Sequence, residues 1–401
     1  MLVSLSLLFL VGLSLGAIMK RIKAPMLLGF LISGLILGPY VLDLLDTSLL
    51  GISAELRKIA LIIILTRAGL ALDIEDLKKI GRPAFLLSFV PASFEMAAVT
   101  VFAPLFFDIS YLEAALMGSV LAAVSPAVVV PKMLYLKENG YGREKRIPDM
   151  ILAGASVDDV FVIVFFSSFL ALADGGTVSA SAFVKIPFSI VDGVILGLVI
   201  GYLFAITFRR FHVRDSVKVV ITMAISFLLV GLEDQMNVFV PVSALLAVMA
   251  AGIAVKKTRN EVAVRLSAKY GKLWVAAEII LFVLVGATVN PAYILSEGPK
   301  AVLLLFISLA FRMCGVVVSL IGTPLSRKER IFVAVAYTPK ATVQAAIGSV
   351  PLAMGLGCGE VIVTVAVLSI LITAPLGALM IDLIHRKCLT VDSIETAGDR
   401  Q

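Results

Sequence analysis

The sequence predicts an all-α polytopic membrane protein of about thirteen transmembrane helices. Three observations predict it. Of the 401 residues, 60% are hydrophobic and 15% charged, with a mean hydropathy of +1.07, which leaves too little polar surface to cover a soluble domain of this length. Apolar runs long enough to cross a bilayer recur along the whole chain, separated by short stretches with charge, Pro or Gly. Basic residues sort into alternate connections, the pattern that the cytoplasmic bias of Lys and Arg imposes on a multi-pass chain.

The predicted spans run at roughly 2–19, 24–38, 53–72, 83–107, 111–131, 148–174, 184–208, 216–232, 237–255, 270–289, 299–322, 329–354 and 358–384. The first lacks a basic start and a small-residue cleavage site, and Lys20, Arg21 and Lys23 follow it directly, so it reads as a retained helix rather than a signal peptide. The second is short for a full crossing. With the N-terminus outside, only Arg57, Lys58, Lys185 and Lys300 fall in outer loops, and Arg67, Arg312 and Lys340 fall inside spans. The rest of the 34 Lys and Arg lie in inner segments, which supports an odd number of spans. The expected location is therefore the cell membrane, a bacterial inner membrane, with the N-terminus outside and the C-terminus cytoplasmic. Residues 1–387 form a single transmembrane region and 388–401 a short cytoplasmic tail, with no room for a large soluble domain. The net charge of +6 is spread over these loops, so the bilayer is the expected partner and nucleic acid is not. Cys314, Cys358 and Cys388 have no metal-ligand spacing and predict no disulfide framework.

The chain also echoes itself. The fifth span contains Ser125-Pro126 and the twelfth Thr338-Pro339, each a helix-breaking proline after a hydroxyl residue. Within a bilayer such a break survives only where protein or a cavity satisfies the freed backbone groups. Glu95 precedes the first break and Arg312 the second, one span upstream in each case. The second and ninth spans begin alike at Pro25 and Pro241 and carry a later glycine, Gly34 and Gly252. These correspondences predict two five-helix repeats of opposite topology, approximately 24–174 and 237–385.

Ionisable residues inside the spans gather at one depth. Asp158, Glu95, Lys340 and Arg312 lie about 15–20 Å from the nearer end of their spans, close to the middle of a core about 30 Å thick. Buried charge is costly in lipid and is offset best by clustering. Asp158 and Asp159 are adjacent, so they repel unless a cation or a proton sits between them. They point about 100° apart on an ideal helix, and at least one faces the polar centre. Hard monovalent cations take oxygen ligands, which the two carboxylates, the carbonyls freed at the breaks and the hydroxyls of Ser125 and Thr338 can supply. Lys340, just past the second break, either pairs with Asp158 or Asp159 in the absence of a cation or fixes the polarity of the break. Arg312 is permanently charged, and Glu95 is its expected structural partner. Arg67 and Asp73 read as an interfacial pair. Glu278, outside the proposed core, is left open between snorkelling, a dimer contact and a second acidic site. His212 and His385 read as interfacial histidines without a role.

Taken together, Val124-Ser-Pro-Ala-Val-Val-Val-Pro131, Gly154-Ala-Ser-Val-Asp-Asp159, Arg67-Ala-Gly-Leu-Ala-Leu-Asp73 and Thr338-Pro-Lys-Ala-Thr-Val-Gln-Ala-Ala-Ile-Gly348 resemble the cation:proton antiporters. Within them the chain is most similar to the sodium/proton antiporters of the NHA type, membrane domain only. The resemblance implies crossed broken helices, a mobile core beside a scaffold domain, and a homodimer. It implies that Asp158 and Asp159 carry the ion and the proton, that Glu95 and Arg312 form a charged pair, and that Lys340 is functional. The implied activity is secondary active exchange of Na⁺, and of Li⁺, for protons by alternating access, with no enzymatic chemistry and no cofactor beyond the transported ions. Potassium/proton exchange on the same fold is the nearest alternative, and a sodium-coupled organic-anion symporter a more distant one. An intramembrane aspartyl protease needs its two aspartates on separate helices sharing a proton, which adjacent residues do not provide.

Overall fold

A computed structural model describes residues 1–72, 80–174, 180–211, 213–233, 235–236 and 242–391. In chain order the helices are α1 (Leu2–Arg21), α2 (Met26–Leu37), α3 (Thr47–Gly51), α4 (Ser53–Ala71), α5 (Arg82–Leu87), α6 (Val90–Phe106), α7 (Tyr111–Leu121), α8 (Pro126–Glu138) and α9 (Ile147–Asp174). The second half holds α10 (Ala180–Arg210), α11 (Asp215–Gly231), α12 (Ala244–Thr258), α13 (Asn260–Ala287), α14 (Pro291–Ser319), α15 (Arg327–Ala336), α16 (Thr342–Ile347), α17 (Val350–Ala353) and α18 (Gly359–Cys388). Among the described residues, eight helical stretches are long and apolar enough to cross a membrane.

The helices depart from the predicted spans in ways that have local causes. The twelfth predicted span is three short helices, because Pro339 and Pro351 each interrupt the backbone ladder. The fourth is divided between α5 and α6, ahead of Pro91. The tenth starts at Asn260 rather than 270, so Arg265, Lys269 and Lys272 ride on helical turns instead of a loop. The eleventh starts at Pro291, where the Asn290 side chain accepts from the Ala292 N–H at 3.0 Å, and this places Lys300 on the helix too. The last helix runs through Cys388, and the first residues beyond it are not a free tail: Thr390 O accepts from Gly142 N at 2.8 Å, and Val391 bridges Tyr141. Pro241 and the starts of the proposed second repeat, Asp73, and His212 lie outside the described residues.

Two packing layers position the centre of the molecule. In one, α2 packs on α13, α12 packs on α4, and α4 packs on α13. Glycines set these distances. A Cβ on Gly34 would stand 1.9 Å from Val283 O, and one on Gly286 would stand 2.1 Å from Leu31 O, so α2 and α13 meet backbone to backbone. Gly69 and Gly252 do the same for α4 and α12, with a Cβ on Gly69 only 2.2 Å from Met249 O. In the other layer, α6 lies against α14, α7 and α8 against α9, and α15 to α17 against α18. A smaller apolar cluster, including Leu87, Met133, Ile151, Val316 and Phe332, fills the space beside the two interrupted helices.

Candidate functional site

The site is built where α7 and α15 stop. Both begin on the same device. Ser110 and Glu113 form a capping box at the start of α7, and Ser326 and Glu329 form one at the start of α15. Each helix then ends after about three turns, α7 at Leu121 and α15 at Ala336. The chain is non-helical until Pro126 opens α8 and Thr342 opens α16. The two breaks face each other: Ser125 N donates to Pro339 O at 2.8 Å.

Backbone groups released by the breaks are taken up by side chains. Leu121 O accepts from Lys340 Nζ at 2.6 Å and from Gln344 Nε2 at 3.3 Å. Ala122 O accepts from Arg312 Nη1. Ala123 O accepts from Gln344 Nε2 at 2.8 Å, and Val124 N donates to Asp158 Oδ2 at 2.8 Å. At the second break, Tyr337 O accepts from Arg312 Nε at 2.5 Å, and Lys340 N donates to Thr373 Oγ1 at 2.9 Å. The carbonyls of 121, 122, 123, 337 and 339 each accept a hydrogen bond from the facing break or from a buried side chain.

Glu95, Asp158, Arg312 and Lys340 have no solvent-exposed surface, and Asp159 is 7% exposed. Arg312 reaches from α14 to Glu95 Oε2 at 2.9 Å through Nη1 and to Asp158 Oδ2 at 3.0 Å through Nη2. Lys340 Nζ straddles Glu95, 2.7 Å from Oε1 and 2.9 Å from Oε2. Ser308 Oγ also donates to Glu95, at 3.2 Å. The lysine thus does not pair with Asp158 or Asp159 as one reading of the sequence expected. Glu95, on the helix that packs against α14, lies nearer to it and carries the charge that Lys340 neutralises.

The other side of the cluster is unbonded. Among the described residues no protein donor reaches Asp158 Oδ1, Asp159 Oδ1 or Ser125 Oγ, and all three atoms are buried. The Tyr337 hydroxyl, also buried without a partner, packs against α9 at Gly154, where a Cβ would stand 2.1 Å from it. Thr338 differs from Ser125 in that its hydroxyl donates to Val335 O at 2.8 Å. Three carboxylates and two cationic side chains leave the cluster one formal negative charge. Elsewhere, Arg67 lies against Gly271 on α13, and His385 is buried with its ring edge-on to Tyr141.

Buried opposed charges thus meet at two facing helix breaks, beside one carboxylate whose buried oxygen has no protein donor. A family model described as the transmembrane region of sodium/hydrogen exchangers matches residues 5–387. The chain belongs to the sodium/hydrogen exchanger family. It is a transporter rather than an enzyme, and the coarse activity of the family is sodium/proton exchange. It is 34% identical to sodium/hydrogen exchanger 9B2 of Xenopus tropicalis, over 98% of this chain and 76% of that protein. It is also 34% identical to the human sodium/hydrogen exchanger 9B1, over 84% of this chain and 67% of that protein. The fold matches that of the sodium proton antiporter MjNhaP1 from Methanocaldococcus jannaschii, solved at pH 8, with a TM-score of 0.83 at 20% identity over 96% of this chain and 97% of that one.

Two parts of the site lie outside the expectations from sequence. Gln344, inside the 338–348 motif, fastens one break to the other. The paired capping boxes carry a legible signal, Ser-x-x-Glu ahead of an apolar run, at both Ser110 and Ser326.

Proposed function

We propose that Asp158 and Asp159 form one site at which a sodium ion and a proton compete, and that the core helices move across the membrane only when that site is filled. The observation that carries this reading is Asp159: a buried carboxylate beside a second one, with no protein donor on its buried oxygen. Such a group is too costly to keep without a counter-charge that comes and goes. Ser125 Oγ supplies a further oxygen ligand. Thr338, whose hydroxyl donates to Val335 O, keeps both oxygen lone pairs and offers a second hydroxyl ligand. Glu95, Arg312 and Lys340 serve as the fixed electrostatic frame of the breaks. One net negative charge is neutralised by one Na⁺ or by one proton, so the two cannot bind fully together. Lithium, with the same charge and the same preference for hard oxygen, is proposed to share the site; potassium exchange is the alternative.

In this reading each repeat, approximately 24–174 and 237–385, contributes helices to both a moving core and a scaffold. Several reciprocal features support that division: α2 on α13 answers α12 on α4, α6 pairs with α14, and the glycine crossings, capping boxes and breaks each occur twice. Helices α5–α9 and α14–α18 form the core, and α2, α4, α12 and α13 belong to the scaffold, through which a homodimer would form in a cell membrane, with the N-terminus outside and the residues from 388 onward in the cytoplasm.

The test is ²²Na⁺ uptake into proteoliposomes driven by an outward proton gradient. The wild type concentrates sodium, and uptake falls as external protons compete. Asp159→Asn abolishes gradient-driven uptake, a loss of at least about a hundredfold given a barrier change of about 3 kcal/mol. Undiminished exchange by Asp159→Asn would sink the assignment.

A further inference from the structure

Gln344 has no part in the exchange as derived above, yet it is fully buried and its amide is used at both ends. Nε2 donates to Ala123 O at 2.8 Å and to Leu121 O at 3.3 Å, and Oε1 accepts from Ala341 N at 2.9 Å. The peptide group whose carbonyl belongs to Ala123 carries, on its opposite edge, the N–H of Val124. That N–H is the one bonded to Asp158 Oδ2 at 2.8 Å. A trans peptide is planar and rigid, with its C=O and N–H directed oppositely. Gln344 therefore grips one edge of the unit whose other edge holds the carboxylate. Donation into the carbonyl also polarises the N–H and strengthens its bond to the carboxylate, as hydrogen bonds in series do in a low-dielectric interior. Gln344 on α16 and Asp158 on the continuous helix α9 are thus coupled through one peptide of the first break that neither of them owns.

We infer that Gln344 is a positioning residue for cation binding: it locks the 123–124 peptide with its N–H toward Asp158 and so fixes where that carboxylate stands in the site. The inference rests on the reading of Asp158 and Asp159 as the cation site. Without the amide, the peptide is free to turn, and a turn would set the Ala123 carbonyl against Asp158 in place of the N–H. Gln344 Nε2 also donates to Leu121 O, the carbonyl that Lys340 Nζ uses beside Glu95. Its position in the chain, four residues after Lys340, places both groups at the start of α16, on the side that meets the first break.

The experiment compares wild type, Gln344→Met and Asp159→Asn in proteoliposomes, measuring initial rates of ²²Na⁺ uptake against sodium concentration at a fixed proton gradient. Methionine keeps the volume and removes both donors. The KM for sodium is expected to rise about tenfold, the loss of about 1.4 kcal/mol expected for a hydrogen bond to a charged group, while the maximal rate stays within about twofold. If Gln344→Met does not purify as a folded protein, Gln344→Leu, which also lacks the donors and adds no charge, carries the test and is expected to raise KM in the same sense. A KM that is unchanged or lowered, or a fall in maximal rate alone, would overturn the positioning role, and so would a lowered melting temperature at wild-type KM. Failure of the exchange reading looks different: the wild type takes up no sodium, or Asp159→Asn exchanges normally.

Discussion

The buried charges divide into two sides that obey opposite rules. On one side, Glu95, Arg312 and Lys340 bond to one another and to the carbonyls of the breaks. On the other, Asp159, the second oxygen of Asp158 and the hydroxyl of Ser125 are buried without a protein partner among the described residues. Most buried polar groups in folded proteins are satisfied, so a satisfied cluster is ordinary and an unsatisfied one needs an explanation. The difference teaches that the two sides are kept for different reasons. The bonded side holds two broken helices together, and the unbonded side is where the proposed function puts the exchangeable positive charge.

The comparison breaks most visibly at Arg312. Its guanidinium donates to Glu95, Asp158, Ala122 O and Tyr337 O, so it touches both breaks and both acidic groups at once. Arg312→Met leaves Asp158 without its counter-charge and two backbone carbonyls unpaired in a dry interior. Removing one partner from a buried ionic network costs about 3–5 kcal/mol. The expected result is a large fall in detergent-solubilised melting temperature, with no folded transporter to assay. A variant of wild-type stability would mean that the bonded side is not the frame.

Asp159→Asn sharpens the comparison from the opposite side. It breaks no hydrogen bond seen in the structure and relieves the repulsion between neighbouring carboxylates. Stability is expected to stay level or rise, by about 1 kcal/mol at most, while gradient-driven exchange disappears. Loss of stability comparable to that of Arg312→Met would place Asp159 on the structural side after all. Sodium should raise the melting temperature of the wild type and leave that of Asp159→Asn unmoved, because a ligand stabilises only the state that binds it.

How much of this was legible in the sequence follows from what each feature depends on. The breaks at Ser125-Pro126 and Thr338-Pro339 were legible because proline acts through its own backbone. Burial of Glu95, Arg312, Asp158 and Lys340 was legible because span depth is a matter of counting. The partner of Lys340 was not, because Glu95 and the Asp pair lie at similar depth and only the crossing of the chains decides which is nearer. The crossing glycines were half legible. Gly34 and Gly252 stood out as repeats of one another, but their partners Gly286 and Gly69 sit on helices whose contact no local pattern announces. The start of α13 at Asn260 was misread because a helix that continues beyond the lipid carries charge freely, and hydropathy reports the lipid rather than the helix.

The smallest effects come from two serines that differ only in bonding. Ser308 Oγ donates to Glu95 at 3.2 Å and to Leu305 O at 2.9 Å, on the closed side. Ser308→Ala should cost about 1 kcal/mol of stability, the net worth of a modest buried hydrogen bond, with no change in sodium KM. Ser125 Oγ has no protein partner, on the open side. Ser125→Ala should therefore leave the melting temperature without sodium within about 0.5 kcal/mol of wild type. If the hydroxyl is a ligand of the transported ion, the same variant raises the sodium KM about threefold to tenfold, and sodium stabilises it less than it stabilises the wild type. The two alanines would then separate cleanly, one moving stability alone and the other affinity alone. Should Ser125→Ala keep the wild-type KM, the hydroxyl leaves the site, and the two carboxylates must hold the cation with oxygens other than this one.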